Sequence, residues 1–177
     1  MILRMKSHSL ASKYFYPDRA YNSIEELDLK ALYESGIRGL ISDIDNTLIA
    51  PGAKMPDRRM TDWIAAAREI GFDICLLSNA ARRRVTRLSS GFGVYAIAMA
   101  GKPTQKGFLK ALRLLKLEPA QACVIGDQIF TDILGAKLAG MMAIHIKPIT
   151  KREIFTVFMK RFVEYFIMKG YYKSVGA

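Results

Sequence analysis

An apolar run at residues 37–41, interrupted only by Arg38 and Gly39, delivers two aspartates and a threonine at alternate positions, Asp43, Asp45 and Thr47. A run this short and this apolar suits a strand buried on both faces. In open parallel sheets, ligands sit just beyond the carboxyl ends of such strands. Side chains in extended chain repeat with period two, so the three polar groups tend toward one side. Two carboxylates held that close repel, and a cation between them, or different duties for the two, relieves the repulsion. From this stretch alone a plainer reading stays open, in which Asp43, Asp45 and Asn46 only shape the turn after the strand.

The rest of the chain alternates around that run. Ser23 with Glu26 three residues on has capping-box form, and Ile24, Leu27, Ala31 and Leu32 make a helical stripe that Gly36 ends. A loop with two prolines leads into a helix near residues 57–69, with Met60, Trp63, Ile64 and Ala67 on one face. Strand-like runs follow at 72–77, 94–99, 122–125 and 141–146. Between them lie a basic helix at 80–90, a helix marked by Phe108, Leu109, Leu112 and Leu115, and a helix at 131–139. Strand and helix alternating at this spacing predict an α/β fold, a five-stranded parallel sheet with helices on both faces. The chain divides into an N-terminal extension at 1–22, a core at 23–150, and a basic amphipathic helix and tail at 151–177. Tyr14, Phe15 and Tyr16 are expected to pack back on the core.

Polar clusters stand at the carboxyl ends of four predicted strands: Asp43/Asp45/Thr47, Ser78/Asn79, Lys102 and Asp127/Asp132. In this order they resemble the four motifs of the haloacid dehalogenase (HAD) phosphohydrolase superfamily: Asp43-x-Asp45-x-Thr47, Ser78, Lys102 and Gly126-Asp127-x-x-x-Thr131-Asp132. The resemblance implies a Rossmann-like HAD core and an aspartyl-phosphate mechanism. Asp43 is the implied nucleophile. Asp45 is the implied general acid and then base, with its main-chain carbonyl toward the metal. Charge leads to the same roles, because a phosphate dianion approaches a carboxylate only where cations offset the repulsion. Magnesium would sit on Asp43 and Asp127, with Asp132 either ligating it or orienting Asp127 from behind. Lys102 adds a fixed positive charge, and Thr47, Ser78 and Asn79 are expected around the phosphate. Lys106 competes with Lys102, which is preferred because the resembling motif reads Lys-Pro. Read without the resemblance, Lys102 is a solvated lysine before a turn and Ser78 or Asn79 is a helix cap. His145 is expected to be structural, and His8 carries no readable role.

Only about 30 residues separate Thr47 from Ser78, and the gap from Ser78 to Lys102 holds one helix and one strand. No cap domain fits either interval, which leaves an open site suited to a large or surface-presented substrate. The closer resemblance is to YqeG-like class IIIA phosphatases, over roughly residues 14–165. It includes the lead from Gly36 and Ile37 into the first strand and the stretch Ile146-Lys147-Pro148-Ile149. Ala80 departs from the asparagine run of that pattern. Relatives in this family act on phosphatidylglycerophosphate, so the resemblance implies a membrane-lipid substrate.

A net charge of +11 on 177 residues predicts attraction to polyanions, anionic lipid surfaces or phosphorylated substrates. Two cysteines, Cys75 and Cys123, sit in strand-like runs and fit buried thiols in a reducing cytoplasm. There is neither a signal-peptide pattern nor an apolar stretch of the ~18 residues a membrane span needs. In the last helix Ile154, Phe155, Phe158, Phe162, Phe166 and Ile167 gather on one side, flanked by Lys151, Arg152, Lys160, Arg161 and Lys169. That composition suits a membrane-surface helix and equally a terminal helix docked on the sheet. Arg82, Arg83, Arg84 and Arg87 begin the helix after Ser78, where they either hold anionic groups or form a solvated face. The leading expectation is a magnesium-dependent phosphatase at the cytoplasmic face of the membrane, acting on a lipid-borne phosphate without nucleic acid. The alternatives are the same chemistry on a soluble sugar or nucleotide phosphate, and a nucleic-acid-binding protein on an inactive HAD scaffold. Oligomeric state has no readable signal.

Overall fold

Alternation along the strands sorts the core into two layers. Leu40, Ile74, Leu76, Cys123, Ile125 and Ile144 bury on one side of the sheet, while Ile41, Cys75, Leu77, Val124 and Ala143 bury on the other. The computed structural model describes residues 10–150 and 155–176. His8, Lys151, Arg152 and Ile154 lie outside the described residues, and so do the side chains of Phe155, Phe158, Lys160 and Arg161.

In chain order the elements are α1 (Leu10–Phe15), β1 (Arg19–Tyr21), α2 (Leu29–Glu34), β2 (Gly39–Ser42), α3 (Arg58–Ile70), β3 (Asp73–Leu77), α4 (Arg82–Ser89) and β4 (Tyr95–Ile97). They continue with α5 (Gln105–Leu115), β5 (Ala122–Gly126), α6 (Leu134–Leu138), β6 (Met142–Ile146) and α7 (Phe155–Val175). The strands form one parallel sheet in the order β1-β6-β5-β2-β3-β4. Helices α3 and α4 cover one face through Met60, Trp63, Ile64, Val85 and Leu88. The other face is covered by α5, α6 and α7 through Phe108, Leu112, Ala136, Met168 and Tyr171. The order reverses at β2, which pairs β3 on one side and β5 on the other. This is the switch point where a parallel sheet opens a crevice. No domain is inserted between β2 and β3 or between β3 and α5.

The sheet has six strands where the sequence pattern predicts five. The extra strand, β1, is three half-buried residues at the edge, too short and too mixed to show a period. Asp18 fixes it: its N–H donates to the Ala143 carbonyl at 2.8 Å, and its carboxylate accepts the Ala143 N–H at 2.7 Å. The helix expected from Ser23 is also displaced. Ser23 makes no side-chain cap, residues Ile24–Glu26 close as a 3₁₀ turn, and Asp28 caps α2 by accepting the Ala31 N–H at 2.9 Å. By contrast α3 starts at the Asp57 cap and ends at Gly71, whose φ of 109° closes the helix.

Helix α7 docks through Glu164, Met168 and Tyr171, with Ile167 half-buried beside them. Phe162, Tyr165 and Phe166 instead stand in solvent, between 55% and 62% exposed. Gly170 makes close approach of Tyr16, just after α1, possible, because a Cβ there would stand 2.5 Å from the Tyr16 hydroxyl. Tyr16 and Phe15 pack back on this face, Phe15 edge-on to Phe130.

Candidate active site

Three strand ends and the turn before α5 converge at the crevice. Asp43 follows β2 directly, and its N–H donates to the Ile125 carbonyl of β5 at 2.9 Å. The chain then turns at Asn46, which takes a left-handed conformation with φ of 66°. Asn46 is buried and ties this turn to the end of the core, donating to the Thr150 carbonyl at 3.1 Å and accepting the Thr150 N–H at 2.9 Å. Asp127 follows β5, fully buried. The Nε2 of His145 on β6 lies 3.1 Å from the Asp127 carbonyl oxygen, so His145 steadies the backbone of that aspartate.

Asp132 arrives through an irregularity. The N–H groups of Asp132 and Ile133 both donate to the Gln128 carbonyl, at 2.9 and 3.2 Å, which widens residues Ile129–Ile133 into a π-helical turn. Such turns often mark functional sites. Gly126 clears the space beside it, since a Cβ at that position would stand 2.5 Å from the Asp132 carboxyl carbon. The regular helix predicted over 131–139 thus begins only at Leu134, because the widened turn precedes it.

Lys102 joins the carboxylates. Its ammonium donates to Asp43 Oδ1 and to Asp132 Oδ1, both at 2.6 Å, with the side chain 4% exposed. Asn79 holds the lysine backbone from both sides: its amide donates to the Lys102 carbonyl at 3.2 Å and its oxygen accepts the Lys102 N–H at 2.9 Å. Thr47 is buried, and its hydroxyl donates to Asp127 Oδ1 at 3.4 Å. Ser78 accepts the Ala80 N–H at 3.1 Å. Asp45 pairs with Arg84, whose Nη2 donates at 2.5 Å and Nε at 3.4 Å.

These groups frame a depression of about 130 Å³ lined by Asp43, Asp45, Ser78, Asn79, Lys102 and Thr131, among others. It is small enough to take a phosphoryl group and leave the remainder of a substrate outside. A larger hollow of about 580 Å³ beside Lys30, Tyr33 and Glu69 gathers none of these groups. Thr47 and Asp127 do not line the depression; they act behind it. Lys106 plays no part in it.

Burial pushes the Asp43 carboxyl up to about 7, with the charge of Asp132 adding to the rise and Lys102 opposing it. Burial alone would lower Lys102. The flanking Asp132 and Asp43 more than offset it, holding the ammonium above its ordinary range and therefore charged. Asp43, Asp127 and Asp132 can place carboxylate oxygens within 4.8 Å of one another. With all three acids ionised, three carboxylates against one ammonium leave a surplus of two negative charges, which a divalent cation balances. An all-oxygen donor set of this kind suits magnesium.

Two features of the site were not legible from the sequence. Glu164 of α7 is buried, and its carboxylate accepts the N–H of Ile129 at 2.8 Å and of Phe130 at 3.4 Å, capping the turn that carries Asp132. Its one signal is that it is the only acid between residues 155 and 175. The second is the clamp of Arg84 on Asp45, since the arginine run gives no means of choosing among its members.

A family model described as haloacid dehalogenase-like hydrolase matches residues 53–140. The chain is 32% identical over 155 residues to a Bacillus subtilis protein named probable phosphatase YqeG, covering 88% of this chain and 90% of that one. It is 29% identical over 160 residues to the chloroplastic phosphatidylglycerophosphate phosphatase 1 of Chlamydomonas reinhardtii. That alignment takes in 85% of this chain and spans 60% of the longer relative. Among solved structures, CbbY of Rhodobacter sphaeroides in complex with phosphate shares the fold, with a TM-score of 0.52 at 17% identity over 67% of this chain and 90% of its own.

Proposed function

The chain belongs to the haloacid dehalogenase-like hydrolases as an enzyme of phosphatase type, and from that premise we propose a magnesium-dependent phosphomonoesterase acting on phosphatidylglycerophosphate at the cytoplasmic face of the membrane. The observation that carries the chemistry is the buried Asp43 carboxylate held by Lys102 at 2.6 Å on the floor of a phosphate-sized depression.

Asp43, Asp127 and Asp132 would hold the magnesium ion, which when bound offsets phosphate charge and keeps Asp43 ionised. Lys102 supplies a second, permanent positive charge beside the attacking oxygen. An Asp43 oxygen attacks phosphorus while the bond to the leaving oxygen breaks, and Asp45 gives that oxygen its proton. In the second half Asp45 takes a proton from water, whose oxygen attacks phosphorus and releases Asp43 with inorganic phosphate. Ser78 and the backbone donors after β3 hold the other phosphate oxygens. Thr47 and His145 keep Asp127 in place.

The lipid assignment rests on three supports. One relative of 29% identity is named for that substrate. Among the described residues no domain covers the site. Exposed Phe162, Tyr165 and Phe166 share one side of α7 with Lys169 and Lys173, the composition of a helix that sits in a lipid headgroup layer. Among the described residues no helix is long and apolar enough to cross a membrane.

Phosphate release from phosphatidylglycerophosphate in mixed micelles, with and without magnesium, tests the proposal against the Asp43→Asn variant. Magnesium-dependent release that the variant lacks is the expected result. Retained turnover in the variant overturns the nucleophile. Equal or faster turnover of water-soluble sugar phosphates overturns the lipid substrate.

A further inference from the structure

Beside the catalytic depression lies a second one of about 350 Å³, lined by Lys54, Ala81, Arg83, Arg84 and Arg87. Four of its five lining residues are cationic. Among the described residues, Lys54, Arg83 and Arg87 take part in no ion pair. Like charges gathered without a counter-charge repel. A hollow lined by one sign of charge concentrates ions of the other.

The two depressions share a wall. Asp45 and Ala80 line the first, Arg84 and Ala81 line the second, and the Asp45–Arg84 pair stands between them. Arg84 also donates to the Ala53 carbonyl at 2.6 Å, which ties the loop bearing Lys54 to α4. Val85 and Leu88 anchor that helix in the core. In the proposed reaction Asp45 serves the leaving oxygen, so whatever the leaving group carries passes over this wall. Both carboxylate oxygens of Asp45 are engaged by Arg84 donors, and a new anion on the basic side gives Arg84 another partner.

We propose that Lys54, Arg83, Arg84 and Arg87 form an anion subsite for the leaving group, so that the preferred substrates are phosphomonoesters whose leaving group bears a second phosphate. Binding of that second phosphate draws Arg84 from Asp45 and frees Asp45 to serve the leaving oxygen. The subsite deepens the phosphatase reading and rests on it for the placement of the leaving group. Its chemistry is the same whether the second phosphate belongs to a lipid headgroup or to a soluble bisphosphate.

The experiment compares kcat/KM for glycerophosphoglycerophosphate, which has the second phosphate, with that for glycerol 1-phosphate, which lacks it. The native protein, the double variant Arg83→Gln/Arg87→Gln and the charge control Arg58→Gln are measured side by side. The Arg58 side chain is 95% exposed and is not among the residues that line the depression. The ratio of the two constants should fall about tenfold in the double variant, the scale of a lost charge-assisted contact, and stay within about twofold in the control. An unchanged ratio, or an equal fall in the control, overturns the subsite.

Phosphatidylglycerophosphate in micelles distinguishes the sources of the charge. A loss of similar size on the lipid and on its soluble head group supports the subsite. A loss confined to micelles assigns the arginines to the lipid surface and overturns it. Calorimetric binding of glycerophosphoglycerol, a phosphodiester with no phosphomonoester, needs no turnover. Binding weakened about tenfold in the double variant supports the subsite even if the protein hydrolyses none of these esters, and in that case the phosphatase reading alone falls. Absence of binding to the native protein overturns the subsite whatever the activity.

Discussion

The ammonium of Lys102 lies 2.6 Å from a carboxylate oxygen of Asp43, with both side chains at most 8% exposed. The same nitrogen reaches Asp132 at the same distance, so one cation ties the first and last motifs across 89 residues of chain. Removing one member of a buried pair leaves the other charge uncompensated, and that cost exceeds the net worth of the pair.

Lys102→Met should therefore lower kcat by about 10²–10³-fold, the usual cost of losing one preorganised charge at a reacting oxyanion. It should also lower the melting temperature in chelator, because Asp43, Asp127 and Asp132 are left together without a cation. Magnesium should then raise the melting temperature more in the variant than in the native protein. Equal magnesium shifts in both proteins would show that the lysine does not balance these carboxylates. Lys102→Arg should not rescue activity, since a forked guanidinium cannot occupy the space of a compact ammonium held by two acids.

Asp43 sets a pH dependence of known sign. Its carboxyl moves from an ordinary 3.8 up to about 7 in the fold, chiefly through burial. An acid that binds its proton more tightly when folded stabilises fully below its unfolded value, and that stability is lost as pH rises through the folded value. The metal-free native protein should thus lose stability between about pH 4 and pH 8 more steeply than Asp43→Asn, which has no proton to lose. By pH 8 the variant should melt higher by about 10 °C, a gap that closes toward pH 4. Scanning calorimetry in chelator measures it, and a gap that does not change with pH would reject the assignment.

Much of the candidate site could be read in the sequence because Asp43, Ser78 and Asp127 each follow a strand with a clear apolar run. Asp43, Ser78 and Asp127 inherit their positions from β2, β3 and β5, and the pairing of β2 with β3 on one side and β5 on the other puts those strand ends side by side. The features that were not legible depend on contacts without a local pattern. Strand β1 is held by Asp18 against Ala143, 125 residues away, and carries no apolar alternation. The turn at Ile129–Ile133 departs from helical spacing because its N–H groups share the Gln128 carbonyl, and composition does not encode that sharing. Arg84 is one of three consecutive arginines, and only the loop geometry at Ala53 selects it for Asp45.

Glu164 makes the last helix part of the site. The buried Ile129 N–H has this carboxylate as its partner, and a donor left alone after truncation costs about 1–3 kcal/mol. Glu164→Ala should destabilise by about 2 kcal/mol and Glu164→Gln by roughly half that, since the amide oxygen still accepts. Urea unfolding in the presence of magnesium reads both values. The alanine variant should also lose activity, because the turn that holds Asp132 loses its cap. Equal stability of the two variants would show that the carboxylate is not the cap.

The same helix separates a docked side from an exposed one, and the separation predicts where a membrane contact would act. Met168 and Tyr171 are under 10% exposed, whereas Phe162, Tyr165 and Phe166 form an edge-to-face cluster in solvent. Replacing those three by serine removes little packing from the core, so the melting temperature should stay within about 2 °C, as expected for substitutions at exposed positions. Loss of three aromatic anchors should cut co-sedimentation with phosphatidylglycerol vesicles by at least about tenfold, since interfacial binding scales with buried apolar area. The ratio of micellar to soluble turnover should fall with it. High salt should weaken vesicle binding of the native protein further, because Lys169 and Lys173 flank the cluster. Vesicle binding that survives the triple substitution at high salt would show that another surface meets the lipid.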